Sequence, residues 1–199
     1  VYDEAVKRMR NTENSAYKET PHNSLFPISD YAQHTRTTYS FGVRAVSERT
    51  SHVEKGNGEN LKGYFLSLGS TVTTMNGNEY RDIFPVWNWA RIPGTTAPQV
   101  TDIPQRKDWG ILGSGNFVGG VSDSLYAAMT FSSEDVIDGR QTQAKKSWFM
   151  FDEEIVCLGS DITSNSSFPV NTTVEQSLLK SDVIVSNSGT ETTLTDGEH

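Results

Sequence analysis

The sequence at residues 148–158 is Trp148-Phe149-Met150-Phe151-Asp152-Glu153-Glu154-Ile155-Val156-Cys157-Leu158. In it, two apolar runs of four residues flank three consecutive acids. Apolar runs of this length, bounded by polar turn residues, are typical of strands buried in a sandwich core. The stretch therefore predicts two core strands joined by a tight acidic turn at Asp152-Glu153.

The rest of the chain shows the same pattern of short segments and turns. Its 16 glycines, its 10% of aromatic residues and its abundant Thr, Ser and Val favour strands and turns over helices. Turn signals such as Asn57-Gly58 and Asp138-Gly139 separate the segments. Further strands are predicted at residues 39–46, 64–68, 71–75, 83–89, 125–131 and 172–174. This layout predicts an all-β protein, a large antiparallel β-sandwich.

The N-terminal segment is predicted to be helical. Residues 2–10 place Ala5, Val6 and Met9 on one face among charged neighbours. This apolar surface is too small to stabilise a helix alone, so we expect it to be the end of an upstream helical domain. We predict a linker and helical remnant at residues 1–25 and the sandwich domain at 26–199. Within that domain the tail, 186–199, is so polar that we expect it to order weakly.

The overall charge excludes some partners. The 199 residues include 17 basic and 25 acidic side chains, which give a formal net charge of −8. Nucleic-acid binding depends on basic side chains that neutralise phosphates, so we expect no nucleic-acid partner. No run approaches the roughly 18 consecutive apolar residues of a membrane span, so we expect no membrane partner.

Common catalytic and metal-binding motifs are missing from the sequence. The histidines at 22, 34, 52 and 199 are scattered, and Cys157 has no partner at ligand spacing, so we predict no metal site. No Gly-x-Ser-x-Gly elbow is present, which gives serine hydrolysis no support. Because Cys157 lies within an apolar run, we expect an inert core thiol.

Two segments are candidates for a binding surface. Residues 54–63 form a polar, glycine-containing stretch that can hold several hydrogen-bonding side chains close to a ligand. For Glu54 and Asn57 the alternative is turn chemistry and solvation. Trp87 and Trp89 share one face if 83–89 is a strand, and indole rings are a natural surface for sugar rings. Burial in the sandwich core is the alternative for both tryptophans.

Four long motifs distinguish this chain from a generic sandwich. They are Asn57-Gly58-Glu59-Asn60-Leu61-Lys62-Gly63, the run 78–96, Phe117-Val118-Gly119-Gly120-Val121-Ser122-Asp123, and the run 144–159. Together they closely resemble the central domain of polysaccharide lyase family 8, which includes the chondroitin, hyaluronan and xanthan lyases. The similarity runs from about residue 26 to residue 174. It implies a galactose-mutarotase-like super-sandwich that follows an α/α toroid and precedes a further β domain.

The resemblance also implies a reaction. Enzymes of this family cleave uronic-acid polysaccharides by β-elimination: a base removes the C5 proton, the glycosidic oxygen at C4 leaves, and an unsaturated uronate remains. Because the C5 proton is only weakly acidic, the site must neutralise the uronate carboxylate and stabilise the developing enolate. In relatives the Asn, Tyr, His and Arg that do this belong to the toroid, so we expect this chain alone to be inactive.

The chain is expected to supply the opposite wall of the substrate cleft. By its spacing of three before Asn57, Glu54 matches a glutamate that in relatives completes the catalytic cluster, by orienting the Arg or His through a charged hydrogen bond. Asn57 matches an asparagine that contacts substrate or holds the catalytic groups. Glu59 and Asn60 either face the sugar or brace the loop. His34 and Arg36 match a family segment and are interpreted as structural.

No cofactor is expected. Some relatives hold a calcium ion with acidic residues around the turn that here reads Trp87 to Thr96, but Asn88, Ala90, Gln99 and Val100 stand at the corresponding places. A secreted or periplasmic location is expected from the polymeric substrate. The alternative function is a non-catalytic carbohydrate-binding sandwich that grips a glycan through Trp87, Trp89 or Tyr80.

Overall fold

The computed structural model describes residues 2–11, 20–106, 109–195 and 197. One helix, α1, spans Tyr2–Arg10, and a single turn of 3₁₀ helix spans Tyr64–Ser67. The strands are β1 His22–Phe26, β2 Tyr31–Thr35, β3 Ser40–Arg44, β4 Ser70–Thr74, β5 Thr96–Pro98, β6 Val118–Ser122, β7 Ala127–Ile137, β8 Arg140–Met150, β9 Ile155–Ser164, β10 Val170–Thr172, β11 Val183–Asn187 and β12 Thr190–Leu194. All-β architecture with one short N-terminal helix is therefore confirmed.

Two four-stranded antiparallel sheets form the body of the domain. Their strand orders are β1-β2-β3-β4 and β6-β7-β8-β9, and two further strand pairs, β5 with β10 and β11 with β12, complete the described structure. The backbone of β1 joins the second sheet where Asn23 N–H donates to the Ser124 carbonyl over 2.7 Å. β1 begins at His22, so residues 22–25 pair with β2 on the N-terminal side of the predicted domain boundary.

The core fills the space between these sheets. Phe41 and Val43 of β3, with Met129 of β7 and Trp148 and Met150 of β8, belong to one buried apolar cluster. Along β8 the buried residues alternate with less buried ones, which is the period-2 pattern of a strand with one covered face. The prediction of a core strand is therefore confirmed for Trp148 to Met150, while Phe151 lies beyond the end of β8 and is exposed.

The second predicted core strand forms but is not core. β9 pairs with β8 and lies at the edge of the sheet, and the backbone turn closes where Phe151 N–H donates to the Glu154 carbonyl over 3.0 Å. Residues 156–164 of β9 are exposed, and Cys157 is exposed with them. The expectation of a core thiol is therefore wrong, because no described segment buries either face of β9 beyond Ile155.

Two predicted strands are turns instead. Residues 64–67 coil into the 3₁₀ helix, which buries both Tyr64 and Phe65. Residues 83–89 form successive turns, in which the amides of Val86 and Trp87 donate to carbonyls three residues back. In both segments an apolar run resembles a strand but lacks a neighbouring strand with which to pair.

The C-terminal region is more regular than its composition suggests. The strands β11 and β12 form a hairpin across Ser188 and Gly189, both of which have positive φ angles of 50° and 82°. Such angles at both central residues are the signature of a two-residue hairpin turn. Most of the tail therefore forms a hairpin, but its residues are almost all exposed, so weak ordering of the tail stays a prediction. The placement of residues 196, 198 and 199 lies outside the described structure. No helix of the described residues has the length and apolarity to cross a membrane.

Candidate functional site

The segment 54–63 is a small hairpin that projects from the surface. Glu59 N–H donates to the Gly56 carbonyl over 2.7 Å, and the two central residues, Asn57 and Gly58, have φ angles of 51° and 76°. Two left-handed residues between hydrogen-bonded ends form a type I′ turn, for which Asn-Gly is the preferred pair. The sequence Asn57-Gly58 therefore places the Asn57 side chain at the tip of the turn.

Asn60 closes the base of this hairpin. Its φ angle is also positive, at 52°, and its side-chain Nδ2 donates to the Glu54 carbonyl over 2.5 Å. Its Oδ1 lies against the α-carbon of Gly63, where any side chain would collide with it. These contacts answer one question that the sequence left open, because they show the Asn60 amide bracing the loop.

The remaining polar side chains of the hairpin are available to a ligand. Glu54, Asn57 and Glu59 are all exposed. In the described part of the chain none of these three side chains makes a hydrogen bond or an ion pair. Glu54 thus presents a free carboxylate, and Asn57 a free amide, on a backbone held by the turn and by Asn60.

Trp109 is a site residue that the sequence reasoning missed. Its indole packs directly over Gly56, where a Cβ atom would collide with the ring, yet 59% of the residue stays exposed. A large exposed aromatic ring beside free polar groups is typical of a sugar-binding surface. The only signal in the sequence was an isolated tryptophan in a polar loop, immediately before Gly110.

Trp87 and Trp89 lie elsewhere. They pack partly buried against the core, with Trp87 edge-on to Tyr80 and to Phe84 at centroid distances of 6.0 and 5.8 Å. No hydrogen bond, ion pair or ring contact within the described residues joins either tryptophan to residues 52–63. The structure therefore supports the alternative of core packing, and it does not bring these rings to Glu54. Their contact with a sugar stays a prediction.

The surroundings of Tyr80 are structural in the same way. The Tyr80 hydroxyl donates to the Glu175 carboxylate over 2.9 Å and accepts from the Thr73 amide over 3.1 Å. Burial, followed by the negative charge of Glu175, raises the pKa of the Tyr80 phenol well above its usual value. A hydroxyl held in its protonated form by these contacts anchors the segment 80–89 to β4.

His34 and Arg36 also serve the fold. His34 Nε2–H donates to the Phe151 carbonyl over 2.7 Å, and burial lowers the pKa of this imidazole. Arg36 is buried, donates to the Leu125 carbonyl over 2.6 Å and lies 3.3 Å from the Asp152 carboxylate. Both side chains connect the first sheet to the ends of β7 and β8, which agrees with their structural interpretation.

The polar side chains of Asn88 and Gln99 make contacts within the protein. Gln99 accepts from Arg91 Nε over 2.9 Å and donates to the carbonyls of Ala90 and Ala97. Asn88 Oδ1 accepts from the Ala90 amide over 3.1 Å. The described residues contain no group of three or more His, Cys, Asp or Glu side chains that could hold a metal ion.

Comparison with known proteins agrees with this architecture. Residues 21–199 match the family described as polysaccharide lyase family 8, super-sandwich domain. Chondroitinase-AC of Pedobacter heparinus is 47% identical over 182 residues, which are 91% of this chain and 25% of that protein. Hyaluronate lyase of Thermasporomyces composti is 36% identical over 161 residues, 76% of this chain and 20% of that protein.

Solved structures of related enzymes have the same fold. A chondroitinase AC lyase known in oligosaccharide complexes superposes with a TM-score of 0.80 at 44% identity, over 96% of this chain and 28% of that one. A mutant of the chondroitin AC lyase of Streptomyces coelicolor A3 gives 0.82 at 29% identity, over 94% and 26%. The chain spans a quarter or less of the length of these curated relatives. It belongs to polysaccharide lyase family 8, and it corresponds to the super-sandwich domain of that family.

Proposed function

We propose that this chain forms one wall of the substrate cleft in a lyase that cleaves chondroitin- or hyaluronan-type polysaccharides by β-elimination. The observation that carries the proposal is the pair of free side chains, Glu54 on the stem and Asn57 at the turn of one small hairpin, whose base is braced by Asn60. Family membership supports the reaction type, and the names of two relatives, Chondroitinase-AC and Hyaluronate lyase, support the substrate class.

In this proposal Glu54 acts on the proton-transfer groups of a neighbouring domain. An upstream helical domain supplies the Asn that neutralises the uronate carboxylate and the Tyr, His and Arg of proton transfer. The Glu54 carboxylate accepts a charged hydrogen bond from that Arg or His and so orients it. Because the carboxylate has no partner within the described residues, it is free to make this bond without breaking another.

Asn57 and Trp109 contact the polysaccharide itself. The Asn57 amide offers both donors and an acceptor to sugar hydroxyls or carboxylates. The Trp109 indole, which lies over Gly56 and is more than half exposed, provides a flat apolar face for a sugar ring. Because the substrate is a large extracellular polymer, we also propose that the enzyme acts outside the cytoplasm, as a secreted or periplasmic protein.

The test is the absorbance of unsaturated uronate released from chondroitin or hyaluronan by the full-length lyase. We expect Glu54→Gln to lower kcat by about 10² to 10³, since it removes one positioned charged partner of the reacting groups. The control is Glu153→Gln, which we expect to leave kcat unchanged. Glu153 is exposed in the β8–β9 turn, at the end of the second sheet away from the hairpin. Full activity of the Glu54→Gln enzyme would overturn the assignment, and binding of the polysaccharide without any product would favour a binding module.

A further inference from the structure

Both stems of the hairpin meet at one buried carboxylate, and the segment before Trp109 packs against one of these stems. His52 lies two residues before Glu54, Tyr64 lies one residue after Gly63, and Arg106 lies three residues before Trp109. Asp135 of β7 forms the floor beneath them, and it is only 5% exposed. Both stems of the hairpin and the loop that carries the indole are thus connected to a strand of the rigid second sheet.

The contacts in this group are short. The Tyr64 hydroxyl donates to Asp135 Oδ1 over 2.5 Å, and His52 Nε2 lies 3.5 Å from the same oxygen. The His52 ring packs against the Tyr64 ring at 4.7 Å between centroids, and the Arg106 guanidinium lies 5.4 Å from the centre of the Tyr64 ring. Asp135 is therefore the common neighbour of both stems.

The backbone of His52 is fixed in two further ways. Its amide donates to the Ile111 carbonyl over 2.8 Å, and its carbonyl accepts a hydrogen bond from the Ser67 hydroxyl. The Ile111 bond connects the Glu54 stem to the segment that follows Trp109. These two bonds hold the backbone of the Glu54 stem independently of the His52 ring.

The cluster contains buried polar groups that do not favour the stability of the fold. His52 is 1% exposed, yet neither ring nitrogen makes a hydrogen bond with a described residue, and Arg106 Nε is buried and similarly unsatisfied. Burying such groups costs free energy, and an apolar ring of similar size would avoid that cost. Polar groups retained at a cost, beneath a candidate site, are typical of residues that position the groups above them.

Tyr64 itself does not transfer protons. Burial, and next the negative charge of Asp135, raise the pKa of its phenol far above the usual value. The hydroxyl is therefore protonated near neutral pH and donates to Asp135. Its contribution is a fixed hydrogen bond at the base of the hairpin.

We infer that His52, Tyr64 and Asp135 are positioning residues, which hold the hairpin so that the Glu54 carboxylate meets the reacting groups at the correct distance. This inference rests on the proposed function. A displacement of about 1 Å of a catalytic group can lower the rate about 10²-fold. The cluster acts on kcat through Glu54, and because it does not touch the polysaccharide it leaves KM nearly unchanged.

The test uses the full-length lyase with Tyr64→Phe, Asp135→Asn and His52→Phe, which keep the shape of the cluster and remove a hydroxyl, a charge and two ring nitrogens, respectively. We expect each to lower kcat by about 10-fold to 100-fold and to change KM by less than about 3-fold. His52→Phe is the sharpest variant, because we expect it to unfold at the same or a higher temperature while it loses activity. Glu134→Gln, on the opposite face of β7, is the matched control and is expected to retain wild-type kcat.

A double-mutant cycle separates positioning from general support. In an enzyme that already carries Glu54→Gln, Asp135→Asn is expected to change kcat by less than about 2-fold, because its effect passes through Glu54. An equal loss in both backgrounds, or wild-type kcat in all three variants, would overturn the inference. If Glu54→Gln alone had no effect on kcat, the proposed role of Glu54 would be wrong. If Glu54→Gln lowered kcat but the effect of Asp135→Asn did not depend on it, only the positioning role of the cluster would be wrong.

Discussion

Lys146 is a basic residue that is almost fully buried. It lies on β8 with its side chain among buried groups, where the ammonium donates to the Gly94 carbonyl and lies 3.3 Å from Thr96 Oγ1. The amine also lies 5.8 Å from the centre of the Trp148 ring. Burial lowers the pKa of the Lys146 amine to about 8. The residue therefore joins the second sheet to the turn before β5 at an electrostatic cost.

This cost predicts a pH dependence of stability. Between pH 8 and the usual lysine pKa of about 10.5, the unfolded chain binds more protons than the folded chain. The free energy of unfolding should therefore rise with pH across this window, by at most about 3 kcal/mol. The measurement is urea unfolding of the wild type and of Lys146→Met at pH 7.5, 8.5 and 9.5. The free energy of unfolding of the wild type should rise relative to that of Lys146→Met as pH rises. A difference that stays constant with pH would refute the lowered pKa of Lys146.

The hairpin at 54–63 is the element on which the candidate site depends. Its shape comes from local sequence, since Asn57-Gly58 supplies the left-handed turn and Asn60 braces the base. Its neighbour is decided by tertiary structure, since Trp109 reaches Gly56 from more than 50 residues further along the chain. Gly56 is needed because the indole occupies the space of a side chain.

Gly56→Ala tests this contact. The added methyl group collides with the indole, so we expect Trp109 to be displaced from the hairpin. In the full-length lyase KM should rise by the same factor as in Trp109→Ala, about 10-fold for the loss of one stacked ring. The double variant, Gly56→Ala with Trp109→Ala, should have the same KM as either single variant. Gly58→Ala is the comparison: it meets no atom within 4 Å, so it strains the turn without displacing the ring.

Several elements were predictable because their signal is local. The β8–β9 pair follows from two apolar runs around an acidic turn, and β3 and β4 follow from their β-branched and aromatic residues. The segments 64–68 and 83–89 are also rich in apolar and aromatic residues, but neither forms a strand. Their aromatic rings pack against the core and against each other instead. The strands β1 and β2 were missed, since buried polar residues such as Asn23 and His34 interrupt their apolar pattern.

At the scale of the whole molecule, one buried carboxylate connects the two sheets. Asp30, in the turn before β2, accepts from the hydroxyls of Ser47 and Thr50 at 2.6 Å each and pairs with Arg49 at 2.6 Å. Arg49 also donates to the carbonyl of Val118, at the start of β6, over 3.1 Å. The network spans both sheets, and each oxygen of the Asp30 carboxylate has at least one donor.

Removal of this charge should therefore destabilise the whole domain. We expect Asp30→Asn to lower the free energy of unfolding by about 3 kcal/mol, because the hydroxyl donors and Arg49 lose their common acceptor in a buried place. Asp82→Asn is a close control, since Asp82 also has a positive φ angle and an arginine neighbour, at 3.7 Å, but its side chain is 92% exposed. That change should stay within about 0.5 kcal/mol in urea unfolding. Equal effects of the two substitutions would contradict the proposed role of Asp30.

The sequence alone was sufficient for the fold class and the family resemblance, and it singled out Glu54 and Asn57 as candidate site residues. These follow from local turn chemistry and from motifs that are contiguous in the chain. Only the tertiary structure decided that Trp109, rather than Trp87 or Trp89, lies beside them, and that Asp135 lies beneath both stems of the hairpin. The physical reason is that such neighbours are set by how separate segments pack across the core, and no periodicity within one segment records that packing.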